Sequence, residues 1–253
     1  MESILDIDNL TVCTKSKGIV NDISFSIRRG DRILLSGNNG VGKSTIIKSI
    51  MRLESSGKTI TGGIRHYSLG DLFKLNDDDM QRFRSKTCYV QQKDEFASMG
   101  NICVGDIFIR NKDAYLGKPI SYAEVNELID EWIPRGSDNK RVFDAKSKPS
   151  KMSGGEQRLL SVLSNIATRP DSELLLIDEP LNNLDFKNAK LISNIINKVA
   201  LENHEMGLMM VSHCRIFPFI NREIKIDESG AHDIPERFVC NSCFGSPDEN
   251  GYY

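Results

Sequence analysis

Eight residues restrict this chain more than any others: Gly37-Asn38-Asn39-Gly40-Val41-Gly42-Lys43-Ser44. They fit the pattern G-x-x-x-x-G-K-[ST], in which successive backbone N–H groups curl around a chain of phosphates. A side chain at Gly37, Gly40 or Gly42 is expected to obstruct that curl or the approach of phosphate. Lys43 can reach the β- and γ-phosphates, and the Ser44 hydroxyl can ligate Mg²⁺. Before the loop, Arg32-Ile33-Leu34-Leu35-Ser36 reads as a short apolar strand. After it, Thr45-Ile46-Ile47-Lys48-Ser49-Ile50-Met51 is apolar at helical spacing, so a helix N-terminus adds its positive end. Strand, glycine loop and helix in this order favour a phosphate site over an ordinary Gly-rich turn.

A second element stands far along the chain. Glu173-Leu174-Leu175-Leu176-Ile177-Asp178-Glu179 carries four apolar residues in a row, as suits a strand buried on both faces of a parallel sheet. Asp178 and Glu179 fall at its C-terminal end, where ligands bind in open α/β sheets. Asp178 is placed to hold Mg²⁺, and Glu179 to orient or deprotonate an attacking water. Pro180 stops the strand. An Asp-Glu pair alone is usually a solvated loop; here two motifs for one site reinforce each other.

Composition removes several classes. The 253 residues are 39% apolar and 27% charged, ordinary for a soluble globular protein with one large core. A formal net charge of −2 gives no reason to expect nucleic acid as a partner. No apolar run approaches the roughly 18–20 residues that span a bilayer. The start Met1-Glu2-Ser3-Ile4-Leu5-Asp6 lacks the basic and apolar stretches of a signal peptide. The expectation is a cytoplasmic chain whose membrane role, if any, comes through a partner. Of six cysteines, Cys13, Cys88, Cys103 and Cys214 read as reduced, packed thiols. Cys240 and Cys243 form a C-x-x-C that reads as half of a zinc site completed by His232 or by a second copy in a dimer, as a redox pair, or as plain thiols. Asp77-Asp78-Asp79 reads as a helix start capped by Asn76, with metal binding the alternative.

Met152-Ser153-Gly154-Gly155-Glu156-Gln157-Arg158 completes the pattern. A Ser-Gly-Gly alone is usually a turn, but Ser153 and two glycines opening a helix also make an anion site. With the two motifs above, the chain resembles the ATP-binding-cassette ATPases, the ABC family, from about residue 4 to 228. Leu181-Asn182-Asn183-Leu184-Asp185 looks like the family's D-loop. Tyr89-Val90-Gln91-Gln92 looks like the Q-loop strand and its glutamine, and Met209-Met210-Val211-Ser212-His213 like the strand before the switch histidine. A histidine in such a place is otherwise often a structural residue.

The resemblance implies an α/β fold: a P-loop NTPase (RecA-like) core with an antiparallel β subdomain and a helical insert. Residues 1–228 form that ABC ATPase domain, 1–92 and 158–228 the core lobe and 93–157 the helical subdomain; 229–253 is a short polar tail. It implies ATP and Mg²⁺ as ligands. Gly37, Asn38, Asn39, Gly40, Val41, Gly42, Lys43, Ser44, Thr45 and Gln92 would hold the nucleotide, with Ser153, Gly154, Gly155 and Asp185 acting across a head-to-tail dimer. Ser44, Gln92 and Asp178 would serve the metal. Glu179, His213 and Lys43 would carry the chemistry. The dimer mate is a second copy or a second ABC ATPase.

Three departures stand out. The stretch Thr11-Val12-Cys13-Thr14-Lys15-Ser16-Lys17 has no aromatic residue where the family stacks one on adenine, so stacking is lost or supplied from elsewhere. Met152 and Glu156 replace the usual residues at two positions of the S-G-G loop. Cys214 follows the histidine where Asp is common. The leading reading is an ATP-hydrolysing subunit that energises a membrane transporter, peripheral on the cytoplasmic face and bound to transmembrane permease subunits. Phe96, Met99 and Ile102, just after Gln92, read equally as contacts to those subunits or as core. The alternative is a soluble ABC ATPase such as an iron–sulfur cluster assembly factor.

Overall fold

The computed structural model describes residues 2–235, except 55–56, 93–95, 97–99, 118 and 214–215. Two sheets organise the chain. The smaller is antiparallel, in the order β2-β1-β4-β5, from Ser3–Thr14 (β1), Gly18–Arg28 (β2), Lys58–His66 (β4) and Gly70–Asp71 (β5). Ile23 and Ile27 in β2 are buried and Ser24 is exposed, the period-two alternation of a half-exposed strand.

The larger sheet has the order β10-β9-β3-β8-β7-β6. Its strands are Arg32–Ser36 (β3), Thr87–Val90 (β6), Leu174–Asp178 (β7), Gly207–Val211 (β8), Arg222–Asp227 (β9) and Gly230–Ile234 (β10). All neighbours pair parallel except β10, which runs antiparallel to β9. Residues 230–234, assigned from sequence to a polar tail, are therefore the sheet's edge strand. Main-chain pairing holds β10, and an edge strand open to solvent needs no apolar pattern.

Among the described residues the α-helices are Lys43–Met51 (α1), Asp77–Ser85 (α2), Val104–Leu116 (α3), Tyr122–Trp132 (α4), Gly154–Ile166 (α5) and Phe186–Glu202 (α6). The insert supplies α3 and α4, but between Trp132 and Pro149 it is irregular rather than helical. Asn76 accepts from the Asp79 N–H at 2.8 Å, the cap expected before the three aspartates.

Two hydrophobic cores lie on opposite faces of the large sheet. Leu174 and Leu176 pack with β1, β2 and α1; Leu175 and Ile177 pack with α3, α5 and α6. The four-residue apolar run in β7 is thus explained by burial on both faces at period two. Ile102 is buried and Phe96 partly buried in the helical-side core; Met99 lies outside the described residues. Among the described residues no helix is long and apolar enough to cross a membrane.

Candidate nucleotide site

The loop from Gly37 to Gly42 leaves β3 at its C-terminal end and enters α1. Gly37 (φ +136°) and Gly42 (φ +96°) have backbones that L side chains rarely adopt, and both are hemmed in. A Cβ at Gly37 would lie 2.2 Å from the Ile226 carbonyl oxygen, and one at Gly42 would lie 2.5 Å from Val20. Gly40 differs: it needs φ +83°, but a Cβ there meets nothing within 4 Å. Its requirement is conformational, not steric. Val41 packs partly into the β-side core, and Asn38 and Asn39 are exposed.

Lys43 Nζ donates to the carbonyls of Gly37 (2.7 Å) and Asn38 (3.0 Å), so the ammonium sits inside the loop's curl. Burial lowers its pKa, opposed by the charges of Glu179 and Asp178. Ser44 Oγ donates to Asp178 Oδ1 at 2.9 Å, joining the start of α1 to the end of β7 across 134 residues of sequence. Asp178 is fully buried, and its Oδ2 is buried without a hydrogen-bond partner. Burial raises its carboxyl above the ordinary range; the Ser44 hydroxyl and nearby cations oppose this. A buried carboxylate oxygen left unsatisfied beside a serine hydroxyl is a donor set that fits a hard divalent cation such as Mg²⁺.

Glu179 follows with φ +47°, the left-handed region, which is sparsely populated by non-glycine residues. Its N–H donates to the Val211 carbonyl (2.9 Å), and Oε1 lies 3.2 Å from His213 Nε2. Burial raises its pKa, with His213 opposing. His213 is exposed at the cleft wall.

Lys43, Ser44, Glu179 and His213 open on a cleft of about 440 Å³ lined also by Asn39, Gly40, Gly42, Thr45 and Gln92; Gly37, Asn38, Val41 and the fully buried Asp178 are not among its lining residues. Ile19, Asn182 and Val211 also line it, and none of the three was singled out from the sequence. Asn182 had a signal, its place two residues after Pro180 in the D-loop-like stretch. Ile19 had none, because strand register decides which β2 side chain turns toward the loop. No aromatic side chain lines the cleft among the described residues.

Ser153, Gly154, Gly155 and Asp185 are not in this cleft. Ser153 caps α5: its Oγ accepts from the Glu156 N–H (3.3 Å), while Glu156 Oε2 takes the Ser153 N–H (2.8 Å) and hydroxyl (3.0 Å). Glu156 therefore closes a capping box on this helix N-terminus. Asp185 caps α6, accepting from the Asn188 N–H (2.9 Å) and Nδ2 (2.7 Å). A Cβ on Gly155 would lie 2.4 Å from Asn188 Nδ2 and 3.2 Å from Asp185 Oδ2, so these residues form one separate patch. Cys214, Cys240 and Cys243 lie outside the described residues.

The family model for ABC transporters matches residues 20–182. An ABC transporter ATP-binding protein of Methanocaldococcus jannaschii is 30% identical over 83% of this chain and 76% of its own length. The phosphonates import ATP-binding protein of Fusobacterium nucleatum is 26% identical over 85% of both chains. The lipoprotein-releasing system ATP-binding protein of Treponema denticola is 28% identical over 77% of this chain and 80% of its own. The fold also matches a solved ATP-binding subunit of an ABC transporter with TM-score 0.68 at 18% identity, covering 95% of this chain and 91% of that one. The chain belongs to the ABC transporter family, and its fold is that of the family's α/β ATP-binding domain.

Proposed function

We propose that this chain is an ATP-hydrolysing subunit that energises a membrane transporter, working as a dimer docked on transmembrane permease subunits at the cytoplasmic face. The observation that carries the reading is the end of β7. Asp178 holds a buried, unsatisfied carboxylate oxygen behind Ser44, and Ser44 and Glu179 line one cleft, with Glu179 in contact with His213.

The residues divide the work. Residues 37–45 cradle the phosphates, and Lys43 exchanges its two loop carbonyls for phosphate oxygens. Ser44 and Asp178 would hold Mg²⁺, with Gln92 at the cleft wall beside them; when bound, the ion neutralises phosphate charge. Glu179 accepts the proton of the attacking water, and a carboxyl whose pKa burial has raised is a better base than an ordinary one. His213 holds Glu179 through its 3.2 Å contact and would meet the γ-phosphate of a bound nucleotide. The separate patch of Ser153, Gly154, Gly155 and Asp185 would close over the nucleotide of a second copy, or of a second ABC ATPase. Closure requires Glu156 to release Ser153, because carboxylate and phosphate compete for one hydroxyl.

The relatives include both an importer and a releasing system by name, so direction is left to the partner. The test is capture of tagged Glu179→Gln protein with ATP from detergent-solubilised native cells. A polytopic membrane protein among the partners supports the transporter reading. Only soluble partners, with the protein absent from membranes, would replace it with the assembly-factor reading.

A further inference from the structure

Arg158 lies one turn into α5 and is 6% exposed, amid Leu159, Leu160 and Val162 of the helical-side core. A guanidinium so placed is costly unless its N–H groups find acceptors. The acceptors are backbone carbonyls of two segments of the site. Nε donates to Pro180 O at 3.2 Å, and Nη2 donates to Asp178 O (3.1 Å) and Glu179 O (3.2 Å). Nη1 donates to Gln91 O, one residue before Gln92.

Glu179 holds φ +47°, a conformation that a non-glycine residue keeps only when its surroundings over-determine it. The carbonyls of Asp178 and Glu179 belong to the two peptide planes on either side of the Glu179 Cα. Arg158 fastens both, and the Val211 carbonyl fastens the intervening N–H. With both planes fixed, φ and ψ of Glu179 are fixed, and with them the direction of its side chain toward the cleft. A planar fork with several donors does this; a point charge cannot.

We propose that Arg158 is a positioning residue for hydrolysis: it locks the backbone of Glu179 in its left-handed conformation, ties Gln92 to the same frame, and links both to the helix that Ser153 caps. The proposal rests on the ATP-hydrolysis reading above. On this account Arg158 touches neither nucleotide nor water; it acts through Glu179 and Gln92.

The test uses the full chain with Mg²⁺ and ATP, measuring kcat, KM, binding of a fluorescent ATP analogue, and thermal unfolding. In Arg158→Met, kcat is expected to fall about 100-fold, the scale of a catalytic group displaced by roughly 1 Å, with nucleotide Kd within about twofold. Arg158→Lys, which keeps the charge but not the fork, should lie between. The double variant Arg158→Met/Glu179→Gln should lose far less than the product of the two single losses, because Arg158 acts largely through Glu179. A folded Arg158→Met protein with unchanged kcat, a loss confined to nucleotide binding, or losses that multiply in the double variant would each overturn the proposal. Should Arg158→Met fail to fold, Arg158→Lys decides: lowered kcat at unchanged Kd supports the proposal, and full kcat overturns it. A wild-type chain that does not hydrolyse ATP overturns the underlying reading instead, so the two failures are distinguishable.

Discussion

The two ends of β7 carry similar carboxylates in opposite circumstances. At its start, Glu173 is saturated: Oε1 accepts from Lys86 at 2.7 Å, Oε2 from the Tyr67 hydroxyl at 3.2 Å, and His66 lies 4.0 Å away. Against the burial that would raise it, Lys86, Tyr67 and Arg29 hold its pKa below the ordinary range. At its end, Asp178 has an oxygen with no hydrogen-bond partner and Glu179 sits in the left-handed region; burial pushes both carboxyls upward. One strand thus begins in a cluster that satisfies itself and finishes in groups that want a ligand. The first arrangement joins the two sheets, and the second is where the proposed chemistry falls.

Substitutions along the strand should separate these roles. The largest effect is expected from Glu179→Gln: hydrolysis falls about 10²–10⁴-fold, the usual worth of a general base, while nucleotide still binds. Normal turnover by this variant, in a phosphate-release assay, would remove Glu179 from the role of base. Next is the loop that faces Asp178. Gly42→Ala should destabilise the fold by about 1–3 kcal/mol and abolish tight nucleotide binding, because strain and a clash with Val20 combine there. Gly40→Ala, strained but unobstructed, should cost only about 1 kcal/mol. Equal losses in denaturant melts of the two would show that space does not distinguish them.

At the other end, Glu173→Gln should lower stability by about 1 kcal/mol, since its partners are partly exposed and screened, and leave kcat unchanged. A fall in kcat at full folding would erase the contrast between the two ends. The smallest effect concerns pH. Burial lowers the pKa of His66 below its ordinary 6.5, with Glu173 opposing and Lys86 and Arg29 reinforcing. The unfolded chain then binds the proton more tightly than the folded one, so stability falls as pH drops through 6.5 toward the lowered folded value. His66→Phe should flatten that slope in melts taken across this range; an unchanged slope assigns it to other groups.

The base end of the cleft adds a prediction of specificity. Ile19 lines the cleft and no described aromatic does, so little in it reads the base. The ratio of kcat/KM for ATP over GTP should stay within about tenfold, or about 1.4 kcal/mol. A preference of several hundredfold would mean that another group recognises adenine.

Much of this was legible in the sequence because the phosphate-loop motif is local. Residues 37–44 are contiguous, and four apolar residues followed by Asp178 and Glu179 fix both the strand and the end at which its carboxylates fall. Less legible was whatever depends on register or tertiary closure. β10 is held by main-chain bonds that leave no apolar signature. Arg158 reads as an ordinary charge on an apolar helix until folding brings Gln91 and Asp178 to it. The Ser153 patch was legible as a motif, yet its Glu156 capping box was not anticipated, although S-x-x-E is itself a capping signature.

The separation of that patch from the cleft makes a second chain the central requirement of the account. The most direct measurement is the molar mass of Glu179→Gln protein by light scattering, with and without ATP. A monomer is expected without nucleotide and a stable dimer with it. A protein that stays monomeric at saturating ATP, while binding the nucleotide, would contradict it.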